Sequence, residues 1–274
     1  MNKLTISLAR IGKMLKPQQW LLLVVLVEWL IMLCSGVGFS GLKGDIFFDL
    51  GVDVFQWLFF GLHIPQLILD NYWSAVFIDA TIFILMIGLV VKPQRYKQAI
   101  ALFILLLLYY VTLTACMGHR NFQTGFVLVI FPFLFKDGKG RKMAFQALIY
   151  FVGFFYFSAA CFKIGGTGFF NLHHMSEVLQ RQSLGYNFEK NNEWRTWLIN
   201  RLVNHPSMAY VALLASVIVE GATSLLFFTR RFNTFIALGL IVFHVFNWIL
   251  MDISMIGQCS ILIFLLISHH LTEE

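Results

Sequence analysis

The chain alternates long apolar runs with short polar connections, most of them basic. A hydrocarbon core of roughly 30 Å takes about 20 apolar residues per helical crossing. Runs of that order fall at 20–38, 72–91, 98–117, 119–135, 144–164, 207–229, 232–251 and 253–268. The fourth and eighth are short, and need tilt, bilayer thinning or partial spanning. Two other segments carry different patterns. In 1–17, Leu4, Leu8, Ile11 and Leu15 share one helical stripe while Lys3, Arg10, Lys13 and Lys16 lie off it. That spacing predicts an amphipathic helix in the membrane interface, stopped by Pro17. The stretch 44–65 is apolar but broken by Asp45, Asp49, Asp53 and Pro65, as in a re-entrant or interfacial helix. The expected fold class is therefore all-α integral membrane: a single transmembrane helical domain over 1–274, with about eight transmembrane helices.

Composition closes off the soluble alternative. The chain is 59% hydrophobic and 12% charged, against about 45–50% and about 25% in soluble domains. It lacks the polar groups to cover a water-facing surface. The net charge of +6 does not point to nucleic acid, because the basic residues sit in clusters between apolar runs. Such clusters set topology. With a cytoplasmic N-terminus, eight crossings place Lys92/Arg95/Lys97, Lys136/Lys139/Arg141/Lys142 and Arg230/Arg231 inside, and the C-terminus inside too. The acidic cluster at 45–53 and the long polar stretch 165–206, expected as an outer loop, then face outward. That stretch opens with Gly165-Gly166-Thr167-Gly168, which lacks the following Lys-Ser/Thr of a phosphate loop and reads as a flexible turn. The four cysteines, Cys34, Cys116, Cys161 and Cys259, have no metal-ligand spacing and are expected as buried free thiols. Cys34 follows Leu33, which argues against a lipoprotein signal, and no clean cleavage site follows the first apolar run.

An ionisable side chain inside a bilayer costs on the order of 2.5–3.5 kcal/mol by insertion scales, so each is a candidate for function. Glu28, Asp79, Lys163, Glu220 and His244 lie within the proposed spans, and His119, Arg120 and Asp252 at their outer boundary. Counted from the outer ends, Lys163, Asp79 and His244 fall in the outer half, where they can converge with His119 and Arg120 on an outward-opening pocket. Glu220 shares a helix side with Ser216, Thr223 and Ser224, and His244 with Asn247. Bland alternatives stand beside each. Lys163 can snorkel to the interface, Glu28 can serve the bundle, and Glu220 can simply neutralise a buried cation. His173 and His174 have no spaced third ligand, so no metal is expected. A desolvated lysine that gives up its charge is a base, and a wall drawn from thirty phenylalanines suits a flat, lipophilic ligand.

The run Tyr156-Phe157-Ser158-Ala159-Ala160-Cys161-Phe162-Lys163-Ile164 resembles the Y-F-x-A-x-x-x-K-[LI] stretch of the vitamin K-dependent γ-carboxylase-like, or HTTM, transmembrane proteins. Phe243-His244-Val245-Phe246-Asn247, followed by Met255-Ile256, is similar to that family's late helix, and Gly44–Leu50 and Gly118–Asn121 sit where it has matching features. The resemblance implies that Lys163 acts as a base on a quinol-type cofactor on the outward side, with His244 as the late histidine and Glu220 at an acidic position. It also implies a histidine in the loop before the fourth helix, its register falling on His119 or Arg120. By this reading the catalytic residues are Lys163, His244 and His119, and the ligand-binding residues Arg120, Asp79, Glu220 and Asn247. The carboxylases carry a large extramembrane portion after their helices, whereas here Glu274 follows the last helix directly. Phe169-Phe170 also stands where the family has a tryptophan. Glutamate carboxylation is therefore not expected.

The function expected is quinone- or quinol-linked acid–base or redox chemistry in a bacterial inner membrane. The alternative is a non-catalytic maturation, assembly or immunity subunit for a secreted peptide or a membrane partner. Membrane lipids are expected contacts, and nucleic acid is not.

Overall fold

The computed structural model describes residues 16–42, 61–117, 125–166, 168–183, 193–251 and 256–273. The interfacial helix expected over 1–17 and the broken helix over 44–65 fall almost wholly outside the described residues, as do His119, Arg120 and Asp252. Every regular element among the described residues is helical. In chain order these are α1 (Pro17–Cys34), α2 (Ile64–Leu69), α3 (Tyr72–Val91), α4 (Tyr96–Met117), α5 (Gly125–Ile130, extended by a 3₁₀ turn Phe131–Leu134) and α6 (Gly138–Gly165). Then come α7 (His174–Ser183), α8 (Glu193–Asn204), α9 (Pro206–Ala222, extended by a 3₁₀ turn Thr223–Phe227), α10 (Asn233–Met251) and α11 (Cys259–Glu273).

Six of these are long and apolar enough to cross a membrane: α1, α3, α4, α6, α9 with its 3₁₀ extension, and α10. No more than 33% of any such stretch is buried, which leaves most of each apolar surface outward, as in a membrane-embedded helix. Phe77, Phe154 and Phe235, all more than 60% exposed, belong to that outward skin. The remaining apolar helices, Gly125–Leu134 and Cys259–Thr272, are shorter. None of the four cysteines forms a disulfide, but Cys34, Cys161 and Cys259 are exposed rather than buried as expected. A thiol is apolar enough to face lipid, so a bilayer imposes no need to bury it.

Local chemistry sets several boundaries. Pro17 and Pro206 open α1 and α9, where a missing N–H costs nothing. The Asn71 side chain accepts the backbone N–H of Trp73 (3.1 Å) and caps α3. Asp137 accepts the N–H of Gly140 and starts α6 six residues ahead of the apolar run expected at 144.

The chain divides into two compact units, Met1–Gln146 with Ile256–Glu274, and Ala147–Met255, the boundary falling within α6. In the first, Trp29 of α1 meets Tyr109 of α4 edge-on at 4.9 Å, and Tyr109 in turn meets Phe126 and Phe39. Phe126 lies beside Tyr109 and Phe131 beside Phe103, so α5 runs antiparallel along α4 toward the start of α4. A Cβ on Gly125 would meet the Gly257 carbonyl oxygen at 2.6 Å; the start of α5 is thus pressed against the turn that opens α11. One end of this unit gathers the start of α1, the end of α3 and the start of α6. There the Gln19 side chain donates to the Val90 carbonyl (3.0 Å), and Arg141 donates to the Phe135 carbonyl (3.1 Å) and to Gln18 (3.4 Å).

In the second unit the stretch expected as a loop carries two helices among its described residues, α7 and α8. Met175 and Leu179 on α7, and Leu198, Ile199, Leu202 and Val203 on α8, form a cluster with Ala209 of α9 and Leu250 of α10. Each short helix turns an apolar face to this cluster, and that face closes over the ends of α9 and α10.

Candidate functional site

Three helices of the second unit contribute polar side chains to one place. On α6 the buried positions Val152, Tyr156 and Ala160 recur at helical spacing, and Lys163 follows on the same face, seven residues beyond Tyr156. On α9 the buried stripe Ala209, Leu213, Val217 ends in Glu220; on α10 the stripe Ala237, Leu240 ends in His244. Each polar group thus continues an apolar stripe. The helices approach closely just below it. Gly153 of α6 leaves room for the Thr223 carbonyl, which a Cβ would meet at 3.2 Å, and the Thr223 hydroxyl donates to the Gly153 carbonyl at 3.1 Å.

The Lys163 ammonium donates to the Glu220 carboxylate at 2.6 Å. Helical Cα–Cβ bonds tilt toward the N-terminus, so a lysine in the last turn of α6 is aimed back into the unit. That direction favours Glu220 over snorkelling outward. The two partners differ in exposure: the Glu220 side chain is 5% exposed, the Lys163 side chain 34%. The carboxylate is sealed and the amine keeps an open side. The Phe243 ring centroid lies 5.0 Å from the ammonium, a cation–π contact.

Next to this pair stands a second one. The Tyr156 hydroxyl and His244 Nε2 are 2.6 Å apart. His244 is buried, and its Nδ1 has no hydrogen-bond partner. Whichever tautomer the ring holds, that nitrogen is left with an unused donor or acceptor. The ammonium is near enough to act electrostatically on the imidazole. Asn247 is half-buried, one turn beyond His244.

The structure therefore brings together Lys163, Glu220 and His244 from the sequence-expected set. It adds Tyr156 and Phe243, for which the sequence reading gave no role. The signal for Tyr156 was its spacing of seven from Lys163, which places both on one face. Asp79 belongs to the first unit and is engaged locally. Its carboxylate accepts the backbone N–H groups of Phe39 (3.0 Å) and Ser40 (2.9 Å) and the Ser40 hydroxyl (2.7 Å), closing the turn after α1. Glu28, also in the first unit, accepts the Ser260 N–H at 2.6 Å in the first turn of α11. An apolar hollow lined by Phe154, Phe157, Ser158, Cys161, Phe162, Gly165 and Gly166 lies on the face of α6 opposite Lys163. Among the described residues no group of three or more His, Cys, Asp or Glu is placed to hold a metal ion.

No family model matches the chain, and no curated protein or solved structure matches it either.

Proposed function

We propose that this chain is a membrane protein akin to the core of the γ-carboxylase-like (HTTM) family, and that the Lys163–Glu220 and Tyr156–His244 pairs form an acid–base site for a quinol-type lipophilic ligand. The observation that carries the reading is the adjacency of two side-chain-to-side-chain hydrogen bonds, each 2.6 Å long, on apolar helices. A bundle needing only stability gains as much from apolar residues of similar volume. Two proton-carrying pairs side by side suit proton transfer.

The residues fit a quinol. The unpartnered Nδ1 of His244 can meet a ligand oxygen or hydroxyl, Lys163 is partly open, and Phe243 offers a ring face. A quinol, when bound, supplies two electrons and two protons. Within the protein, the ammonium proton can pass to Glu220, turning an ion pair into a neutral amine beside a carboxylic acid; no net charge is created in the apolar medium. The freed amine is then the base, and Tyr156 holds the His244 ring in place.

Eight crossings, both termini cytoplasmic in a bacterial inner membrane, accompany this reading. The six long helices supply most of the count, with α5 and α11 completing it. Lys92, Arg95, Lys136, Lys139 and Arg141 flank the helix ends gathered at one end of the first unit, the pattern of a cytoplasmic face. A non-catalytic partner role is the second reading, favoured by the folded α7–α8 layer, which offers a built surface rather than a loose loop.

The test is extraction of the protein into native-lipid nanodiscs followed by mass spectrometry of bound lipids. A quinone near one per chain that falls at least tenfold in Lys163→Met is the expected result. Its absence from wild-type protein in repeated lipid-preserving preparations removes the quinol reading. A silent Lys163→Met together with sensitivity to changes in 172–204 moves the function to a partner.

A further inference from the structure

We propose that the exposed face of α8 is a phospholipid-binding surface, with Trp194 and Trp197 seated in the headgroup layer and Arg201 on a lipid phosphate. Depth is the first argument. Arg195, on the buried side of α8, donates to the carbonyls of Trp248 (2.9 Å) and Ile249 in the last turn of α10. Ile199 and Leu202 join the cluster with Ala209, in the first turn of α9, and Leu250, near the end of α10. Helix α8 therefore lies across the ends of two membrane-crossing helices, where hydrocarbon gives way to headgroups.

What the face carries is the second argument. Trp194 is 58% exposed and Trp197 60%, and Trp248, whose carbonyl Arg195 grips, is 57% exposed at the same end of the unit. Tryptophan concentrates at the level of membrane headgroups, where its ring is apolar and its N–H wet. Water would be a poor cover for two such rings one helical turn apart. The neighbouring helix sharpens the point, because α7 exposes Glu177, Gln180, Arg181 and Gln182 instead. The two helices share one buried cluster, yet α7 turns only polar residues outward, while α8 turns out two tryptophans beside Asn200, Arg201 and Asn204. This partition fits a layer with water over α7 and lipid against α8.

Charge is the third. The Arg201 guanidinium lies over the Trp197 ring, 5.4 Å from its centroid, exposed, with no carboxylate partner among the described residues. A guanidinium lying over an indole keeps N–H groups free to meet a phosphate as a fork. An anionic headgroup completes the arrangement.

The protein, reconstituted in phosphatidylethanolamine–phosphatidylglycerol vesicles, carries single nitroxide labels at positions 194, 197, 180 or 181, with the native cysteines replaced by serine. Labels at 194 and 197 should collide more with oxygen than with a water-soluble nickel chelate, and those at 180 and 181 the reverse. Equal nickel accessibility at all four positions overturns the proposal. Shielding of 194 and 197 from both reagents also overturns it, and points to a protein partner. Because the cysteine-free protein can fail to fold, brominated phospholipid is added to the otherwise wild-type chain. The W194F/W197F variant should lose a quenchable part of the tryptophan emission; unchanged quenching counts against lipid contact. Arg201→Gln should cut retained phosphatidylglycerol about fivefold, as a basic residue at an anionic surface contributes. Arg201→Lys should keep most of it, and no loss in Arg201→Gln refutes the phosphate contact.

Discussion

Among the described residues, three buried carboxylates on apolar helices find their partners in two ways. In the first unit, Asp79 accepts the backbone N–H groups of Phe39 and Ser40 together with the Ser40 hydroxyl, and Glu28 accepts the backbone N–H of Ser260. In the second, Glu220 meets a side-chain cation and His244 meets a side-chain hydroxyl. A backbone donor has no other protonation state and cannot swing away, so a carboxylate that binds one is an anchor. It closes a turn or the start of a helix that would otherwise carry orphan donors. A side-chain partner can move, change charge or be displaced by a ligand. The contrast gives a criterion for sorting buried charge in a bilayer: ask whether the partner itself can change.

The comparison can be broken experimentally. The largest effect should come from Lys163→Ala, which leaves Glu220 buried without a cation and should cost about 3–5 kcal/mol, read as a shift in reversible SDS unfolding. Glu220→Leu should cost less, since the partly open lysine can rearrange toward the interface. The double variant Lys163→Met/Glu220→Leu should recover most of the loss; a double variant as unstable as Lys163→Ala would mean that the pair holds the unit together by shape rather than charge.

Next in size is Asp79→Ala, which strips three donors of their acceptor and should cost about 1–3 kcal/mol while leaving bound quinone unchanged. Loss of quinone without loss of stability would move Asp79 from anchor to ligand site. Tyr156→Phe should cost about 0.5–1.5 kcal/mol and lower quinone retention, since only the His244 contact is removed. The smallest effect is expected for Glu28→Gln, under about 0.5 kcal/mol, because an amide oxygen still accepts the Ser260 N–H. Glu220→Gln should be clearly worse, having lost an ion pair, and equal costs for the two would erase the distinction drawn here.

Much of the helix plan was legible in the sequence because apolar length is a local property. Each of the eight runs overlaps an apolar helix, six of them long enough to cross. The polar first turn of α6 escaped because Asp137 starts the helix ahead of the apolar residues. Helices α7 and α8 escaped because each buries only a few apolar residues at helical spacing, a weak signal amid Asn, Glu and Arg. Within the site, depth along each span put Lys163 and His244 near one another, and the need of a buried carboxylate for a partner pointed to Glu220. The Tyr156–His244 hydrogen bond was not legible, being set by two helices 88 residues apart in the chain. Nor was the work of Asp79, two of whose three donors are backbone groups that carry no sequence signature.

Helix α6 measures depth for everything attached to it. Its 28 residues extend about 42 Å at the usual rise, longer than the roughly 30 Å that hydrocarbon occupies. Even with some tilt, its final turn reaches the rim of the bilayer, while the last charged side chain hangs back toward the middle. Under the proposed quinol reading, a molecule confined to the lipid phase would approach that amine by drifting sideways along the leaflet. For a fat-soluble reactant, the membrane itself would be the vestibule.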